Sequence, residues 1–369
     1  VGTRATARRL RLERTRPLVE GDVVRDDYRI RESLPTIEFL RSAGARLVIV
    51  SHIGKGKPTD TLRPVAEYLN KLFPTVFLPD LMNPENVRMS TEMADGDVLL
   101  LENLRHSKGE EENDPDFSKY LASLGDIYVN DAFSVSHRAH ASVVGVVGLL
   151  PHFAGIRFAA EIKRLSEAFT PAHPFLFILG GAKIETKMPL LKKFLERADK
   201  VVVGGAIANN FIKVAGNEIG DSVYDADELV GLETYLSHER LVTPHDVVVK
   251  NLAGSHCRKV NEVVPGDMIV DVGTETIRSL ESVIGEAKLI VWNGPLGFYE
   301  EGFTEGTKEL LHLIAGSSAT SIIGGGDTVA LINDMGALEK FSFVSTGGGA
   351  MLDYLANETL PGLEALQRA

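Results

Sequence analysis

The sequence predicts an α/β protein of two lobes, each a doubly wound parallel sheet with helices on both faces. Three observations carry this. The chain has 369 residues, a length that suits two domains better than one. Short unbroken runs of Val, Ile and Leu recur, and such runs suit strands buried on both faces. Between them lie segments with helical spacing, such as Leu190, Leu191, Phe194, Leu195 and Ala198, and strand–helix alternation reads as parallel sheets.

Taken in order, strands are expected at residues 47–50, 98–101, 127–129, 175–179, 201–203, 289–292 and 321–323. The halves meet near Leu150 and Pro151. A helical stretch follows, with Phe158, Ile162, Leu165 and Phe169 stepping by four, three and four, and Pro171 and Pro174 end it. It reads as a connector, giving a first lobe over 1–153, an inter-lobe helix over 154–170 and a second lobe over 171–356. Periodicity equally allows a packing helix of the second lobe. Further helices are expected at 329–335 and 351–356.

Composition narrows the class. Apolar residues make up 44% and charged residues 24% of the chain, and the net charge is -12, which argues against a broad basic surface for nucleic acid. The longest apolar run, 143–150, is broken by Gly145 and Gly148 and is far short of the ~20 residues of a membrane span. The single Cys257 allows no internal disulfide and fits a reducing cytoplasm. Six arginines fall within the first sixteen residues (Arg4, Arg8, Arg9, Arg11, Arg14, Arg16), without the serine enrichment of a transit peptide.

The turns after the strands are of two chemical kinds, and in open α/β sheets ligands bind at the carboxyl ends of strands. In the first half they are basic: Ser51-His52-Ile53-Gly54-Lys55, Asn103-Leu104-Arg105-His106 and Asn130-Asp131-Ala132-Phe133 leading to His137-Arg138-Ala139-His140. Arg29 lies in Asp26-Asp27-Tyr28-Arg29-Ile30. Each alone reads as a surface or capping residue; at one sheet edge they make a cradle for a small anion. The two histidines lack helical metal-ligand spacing.

In the second half the turns are glycine-rich, which lets backbone amides approach phosphate oxygens. Gly180-Gly181-Ala182-Lys183-Ile184-Glu185-Thr186-Lys187 would place Lys183 and Lys187 on one face of a helix starting there, with an anion to balance them. Gly324-Gly325-Gly326-Asp327-Thr328 offers Asp327 to magnesium, although Asp327 or Thr328 as a simple helix cap is a close competitor. Gly347-Gly348-Gly349 precedes another helix. Trp292-Asn293-Gly294-Pro295 ends a strand, and Glu300 beyond it could accept ribose hydroxyls. Neither a GxxxxGK[ST] loop nor a GxGxxG turn occurs, and the protein-kinase signatures are missing.

These turns, in this order, resemble phosphoglycerate kinase from about Pro17 to Leu366. The most specific strings are LLLENLRHSKGEEENDP, YVNDAFSVSHRAHASVVG, FILGGAKIETK, IVWNGPLGF, IIGGGDTVA and STGGGA. The resemblance implies two doubly wound lobes with a cleft between them that closes by a hinge, and a last segment, 357–369, crossing back to the first lobe. It implies phosphoryl exchange between ATP and the carboxylate of 3-phosphoglycerate, giving ADP and 1,3-bisphosphoglycerate, in a cytoplasmic monomer without nucleic-acid or membrane partners. Arg29, His52, Ile53, Gly54, Lys55, Arg105 and Arg138 fall on substrate-binding positions. Lys183, Lys187, Asn293, Glu300, Gly325, Gly326, Asp327 and Thr328 fall on nucleotide-binding positions, with Mg2+ on Asp327. Arg29, Lys183, Lys187 and the amides of Gly347, Gly348 and Gly349 would stabilise the transferring group.

The first sixteen residues depart from the pattern. The family has an apolar strand ending Arg-x-Asp-x-Asn before the proline, where this chain reads Arg11-Leu12-Glu13-Arg14-Thr15-Arg16-Pro17. Glu13 and Thr15 replace two substrate-holding positions, and an arginine-lined strand resists burial. Lys55 stands where the family usually has Arg, a point charge in place of a fork. A reading-frame error, testable by resequencing the coding DNA, is one account; an altered substrate lobe, leaving a nucleotide-binding pseudoenzyme, is the other.

Overall fold

The apolar runs become parallel strands. A computed structural model describes residues 7–11, 19–20, 23–24, 27–227 and 229–368. The chain divides into two units, Val1–Lys163 with Asn357–Ala369, and Arg164–Ala356.

The first unit holds β1 (Ala7–Arg11), β2 (Arg46–Val50), β3 (Thr75–Leu78), β4 (Val98–Leu101), β5 (Ile127–Asn130) and β6 (His152–Ala154). Their order is β3-β4-β2-β1-β5-β6, with every pair parallel. The strands have period two, and both faces are dry. Leu47, Ile49, Val98, Leu100 and Val129 pack on one side with Ile30, Ile37 and Leu40 of α1 (Tyr28–Ser42). Val48, Val50, Leu99, Leu101 and Tyr128 pack on the other with Phe117 and Leu121. Continuous apolar strands follow from that double burial, each buried Leu or Ile contributing about 1.5–3 kcal/mol. The backbone of arginine-rich β1 lies between β2 and β5, with Arg9 opposite Val48 and Leu10 opposite Val129. Glu13 and Thr15, with Arg14, Arg16 and Pro17, lie outside the described residues.

The second unit holds β7 (Phe175–Leu179), β8 (Lys200–Val203), β9 (Leu241–Val242), β10 (Asp246–Asn251), β11 (Gly254–Lys259), β12 (Met268–Val272), β13 (Leu289–Asn293), β14 (Thr320–Gly324) and β15 (Phe343–Val344). The main sheet runs β9-β8-β7-β13-β14-β15, all parallel. Strand order reverses between β7 and β13, and such a switch point opens a crevice at the strand ends. Phe177 stacks on Phe194 with centroids 4.0 Å apart, and Phe175 meets the same ring edge-on. A small antiparallel sheet, β11-β10-β12, was not expected from the sequence. Its Val247 and Val249 pack on Ile212 and Ile219.

Three helix starts differ from expectation. The helix after β7 is α2 (Met188–Arg197), and Lys187 is its N-cap. Pro189 sits in its first turn; a helix begun at Gly180 would bury that ring in its interior, where it lacks a donor and clashes with the preceding turn. Lys183 and Lys187 therefore span a turn closed by Lys187 N–H to Ile184 O at 2.8 Å, not a helical face. The helix after β14 runs Gly326–Asp334 with Gly325 as N-cap at φ 102, so neither Asp327 nor Thr328 caps it. The last helix of the unit runs Gly349–Asn357, two residues ahead of the expected start. First-turn N–H groups have no helical partner, so glycine is tolerated there. The expected connector is helical over Ile156–Leu165 and tightens to a 3-10 turn over Ser166–Ala168.

Candidate active site

In the first unit the topology brings the basic turns to one edge. Because the strands are parallel, the residues after β2, β4 and β5 leave at the same end. The turns are tied together. Asn103 Oδ1 accepts from Ile53 N–H at 3.3 Å and Asn103 Nδ2 donates to Ile53 O at 2.8 Å. Arg105 Nη1 donates to Gly54 O at 2.9 Å, and Arg105 Nε lies 3.4 Å from Glu111. Gly54 at φ 59 and Gly56 at φ 81 need glycine, and a Cβ on Gly56 would overlap Arg105 O. Lys55 donates its N–H to Asp60 at 2.9 Å and leaves its side chain exposed.

The remaining first-unit candidates differ in access. His52 is 1% exposed, a wall of the turn. Arg138 Nε contacts His137 Nε2 at 3.2 Å. His140 faces Glu110 at 3.7 Å, and among the described residues no group of three or more His, Cys, Asp or Glu could hold a metal. Arg29 lies in the first turn of α1, the helix following β1. Its Nε is buried and, among the described residues, accepted by nothing.

In the second unit the glycine turns meet one another at the switch point. Gly180 N–H donates to Asn293 O at 2.9 Å and Gly181 N–H to Pro295 O at 2.8 Å. A Cβ on Gly294 (φ 90) would fall 2.5 Å from Gly180 O, and one on Gly325 would fall 2.8 Å from Gly294 N. Part of the glycine content thus serves turn-on-turn packing. Gly326 and Gly348 face open space instead. The helices starting at Gly326 and Gly349 present first-turn amides, and the one starting at Gly326 has no side-chain cap; at the Gly205 helix, also without a side-chain cap, the N–H groups of Gly205 and Ile207 are given to Leu296 O at 2.9 Å and Gly181 O at 3.3 Å. Free first-turn amides are the arrangement that binds phosphate. Gly347 N–H is already given to Ser345 Oγ at 3.0 Å, which leaves the amides of Gly348 and Gly349 for a ligand.

Beside these turns is a cavity of about 220 Å³, lined by Ala208, Ile212, Val223, Val247, Val270 and Leu296, with Glu300 and Asp327 at its polar side. The apolar wall was missed in the sequence because it comes from the small sheet, from Gly205–Val214 and from the loop residues Val223 and Leu296, apolar positions with no charged motif. Asn293 lies 3% exposed behind the turns, its Nδ2 3.4 Å from Met351 Sδ, and supports them from within. Thr328 is fully buried and its hydroxyl has no partner among the described residues.

The two lysines differ. Lys183 is exposed, while Lys187 is 8% exposed. Burial pulls the Lys187 ammonium down to about 8, and the nearby Asp327 carboxylate partly restores it. Asp327, in the first turn of Gly326–Asp334, supplies one hard oxygen donor. That suits a magnesium ion that takes its other ligands from phosphate oxygens and water, as this cation generally does.

The family model described as phosphoglycerate kinase matches residues 9–358. The chain is 40% identical to the phosphoglycerate kinase of a Wolbachia strain from Drosophila simulans, over 97% of this chain and 95% of that one. It is 41% identical to that of Dictyoglomus turgidum, over 95% and 93%. Solved phosphoglycerate kinases from Coxiella burnetii and Pyrococcus horikoshii superpose with TM-scores of 0.83 and 0.86, at 33% and 32% identity, covering 99% and 98% of this chain and 96% of each of those. A parallel-sheet unit with a basic strand edge, a second with glycine turns around an apolar cavity, and these likenesses over nearly the full length agree: the chain belongs to the phosphoglycerate kinase family.

Proposed function

We propose that this kinase transfers a phosphoryl group reversibly between ATP and the carboxylate of 3-phosphoglycerate, giving ADP and 1,3-bisphosphoglycerate. The observation that carries the reading is the switch-point cavity of the second unit, where an apolar wall fit for a base adjoins an uncapped helix start fit for phosphates. Glu300 would hold the ribose. Lys183, Lys187 and the amides at Gly325–Thr328 and Gly348–Gly349 would hold the phosphates. Asp327 would hold magnesium, which neutralises phosphate charge when bound.

On the acid side, Arg29, His52, Ile53, Gly54, Lys55, Arg105 and Arg138 would hold 3-phosphoglycerate. Its carboxyl, with an ordinary pKa near ~3.5, is ionised at neutral pH, so the acceptor needs no general base. What the residues supply is charge and placement: cations that offset two crowded anions, and amides that fix the oxygens in line. The net charge of -12 makes those local cations essential. The reading includes a monomer of the reducing cytoplasm, a setting that the single, exposed Cys257 fits.

A coupled assay tests it. ADP should appear only with 3-phosphoglycerate present, and Lys187→Ala or Arg29→Ala should lower kcat by about 100-fold, the scale of losing one charge-stabilising group. Normal ADP binding without 3-phosphoglycerate-dependent turnover would leave only the nucleotide-binding pseudoenzyme, which no observation now favours.

A further inference from the structure

Tyr28 and Glu32, the neighbours of Arg29 on α1, enter an ion cluster. Arg157, 8% exposed, gives one Nη to Glu32 and the other to Glu161 Oε1 at 2.9 Å. Glu161 is fully buried. Tyr28 also bonds the guanidinium, and its hydroxyl is driven upward in pKa chiefly by burial. The start of the Arg157 helix is fixed against the same region: Asp131 Oδ1 accepts from Arg157 N–H at 2.9 Å and Phe158 N–H at 3.1 Å, and Ile156 N–H donates to Thr36 Oγ1 at 3.0 Å. Among the described residues the cluster sets two carboxylates against one guanidinium, and burial pushes the Glu32 carboxyl up.

Position makes the cluster more than a brace. Glu32 is three residues beyond Arg29 on α1, and side chains at that spacing are helical neighbours that pair readily when opposite in charge. Yet Glu32 pairs with Arg157, and among the described residues Arg29 has no carboxylate partner. A carboxylate seated on Arg29 would neutralise the cation that an anionic acid needs.

We propose that Arg157 is a positioning residue for substrate binding: by engaging Glu32 it keeps that carboxylate off Arg29 and leaves the Arg29 guanidinium to the phosphorylated acid. The inference rests on Arg29 being a substrate contact. It makes Glu32 an internal competitor whose grip is set by Arg157. Losing Arg157 would therefore act on the acid and not on the nucleotide.

The test is a kinetic cycle on the full chain, with 3-phosphoglycerate and ATP varied separately and thermal unfolding recorded for each variant. Arg157→Met should raise KM for 3-phosphoglycerate about 10-fold with KM for ATP unchanged, because the freed Glu32 pairs with Arg29. Glu32→Gln alone should leave both unchanged. Arg157→Met with Glu32→Gln should return KM to within about 2-fold of the parent, and in an Arg29→Ala background Arg157→Met should add nothing, the mark of coupled residues. If Arg157→Met does not fold, Arg157→Lys, which can hold only one carboxylate at a time, should raise the same KM about 3-fold and be restored by Glu32→Gln. The proposal is overturned if these Arg157 variants leave KM for the acid unchanged, if Glu32→Gln fails to restore it, or if the effect persists without Arg29. If Arg29→Ala itself leaves that KM unaltered, the underlying assignment of Arg29 fails, a result separable from the others.

Discussion

The proton on Lys187 is under two opposed pressures, and the result is readable in two ways. Burial lowers its pKa from 10.5 to about 8, while Asp327 acts to raise it. Between pH 8 and 10.5 the unfolded chain binds more protons than the folded one, so this residue makes stability rise with pH across that window and costs stability below it. Lys187→Met should accordingly raise the melting temperature at pH 7 by about 3 °C, the shift expected for roughly 1 kcal/mol in a domain of this size, while turnover falls steeply. Scanning calorimetry alongside the coupled assay checks both; a variant that loses stability at pH 7 contradicts the burial argument. In the proposed role of Lys187 the same proton bears on catalysis. If only the ammonium form holds phosphate, kcat/KM for the nucleotide should fall with a basic limb near pH 8, since that ratio reports groups of the free enzyme. In Lys187→Arg, which stays charged, the limb should move beyond pH 10.

At the scale of the element, the glycine turns separate into glycines packed against a neighbouring turn and glycines that face open space. Gly325 has φ 102 and its Cβ would fall 2.8 Å from Gly294 N, whereas Gly326 opens its helix facing free space. Gly325→Ala should lower stability by about 1–3 kcal/mol through left-handed strain and overlap, and weaken ADP binding with it. Gly326→Ala should keep or slightly raise the melting temperature, as Gly-to-Ala in a helix usually does. It should nonetheless weaken ADP about 10-fold, because its methyl fills the proposed phosphate position. Calorimetric titration and thermal unfolding of the two variants decide this; equal stability losses would mean that both glycines only pack. The sequence carried the strands well, because double burial writes itself as unbroken apolar runs such as Phe175–Leu179. It also carried the charged ends of those strands. It did not carry the antiparallel sheet at Asp246–Val272, whose β11 is largely exposed and lacks an apolar pattern. Nor did it carry the cavity wall, whose Ala208, Ile212, Val223 and Val247 are remote in sequence and ordinary in type. The turn at 183–187 is not the helix that the charge spacing predicts, because Pro189 fits only a first turn and sets the helix start at Met188.

For the whole molecule, each unit has its own sheet, its own core and its own candidate ligand edge, and that organisation predicts where each ligand is felt. A ligand that binds only the folded form stabilises by an amount set by its concentration over Kd, about 2.7 kcal/mol at a hundredfold excess. Stabilisation is not uniform; it is greatest in the cooperative unit that makes the contacts. Magnesium ADP should therefore slow amide exchange mainly within residues 164–356, foremost at the starts of the helices at Gly326 and Gly349. Saturating 3-phosphoglycerate should slow it mainly within the described residues of 7–163 and in 357–368, because the last helix, Pro361–Gln367, packs on the first unit through Ala365 and through Gly362 N–H to Ser136 O at 2.8 Å. That bond places the end of the chain two residues from Arg138, so protection of Gly362 by the acid and not by the nucleotide is the sharpest single reading. Hydrogen-exchange mass spectrometry with each ligand alone measures it. Protection by 3-phosphoglycerate centred on residues 164–356 would mean that the basic strand edge of the first unit is not the acid's site, however well its arginines are arranged.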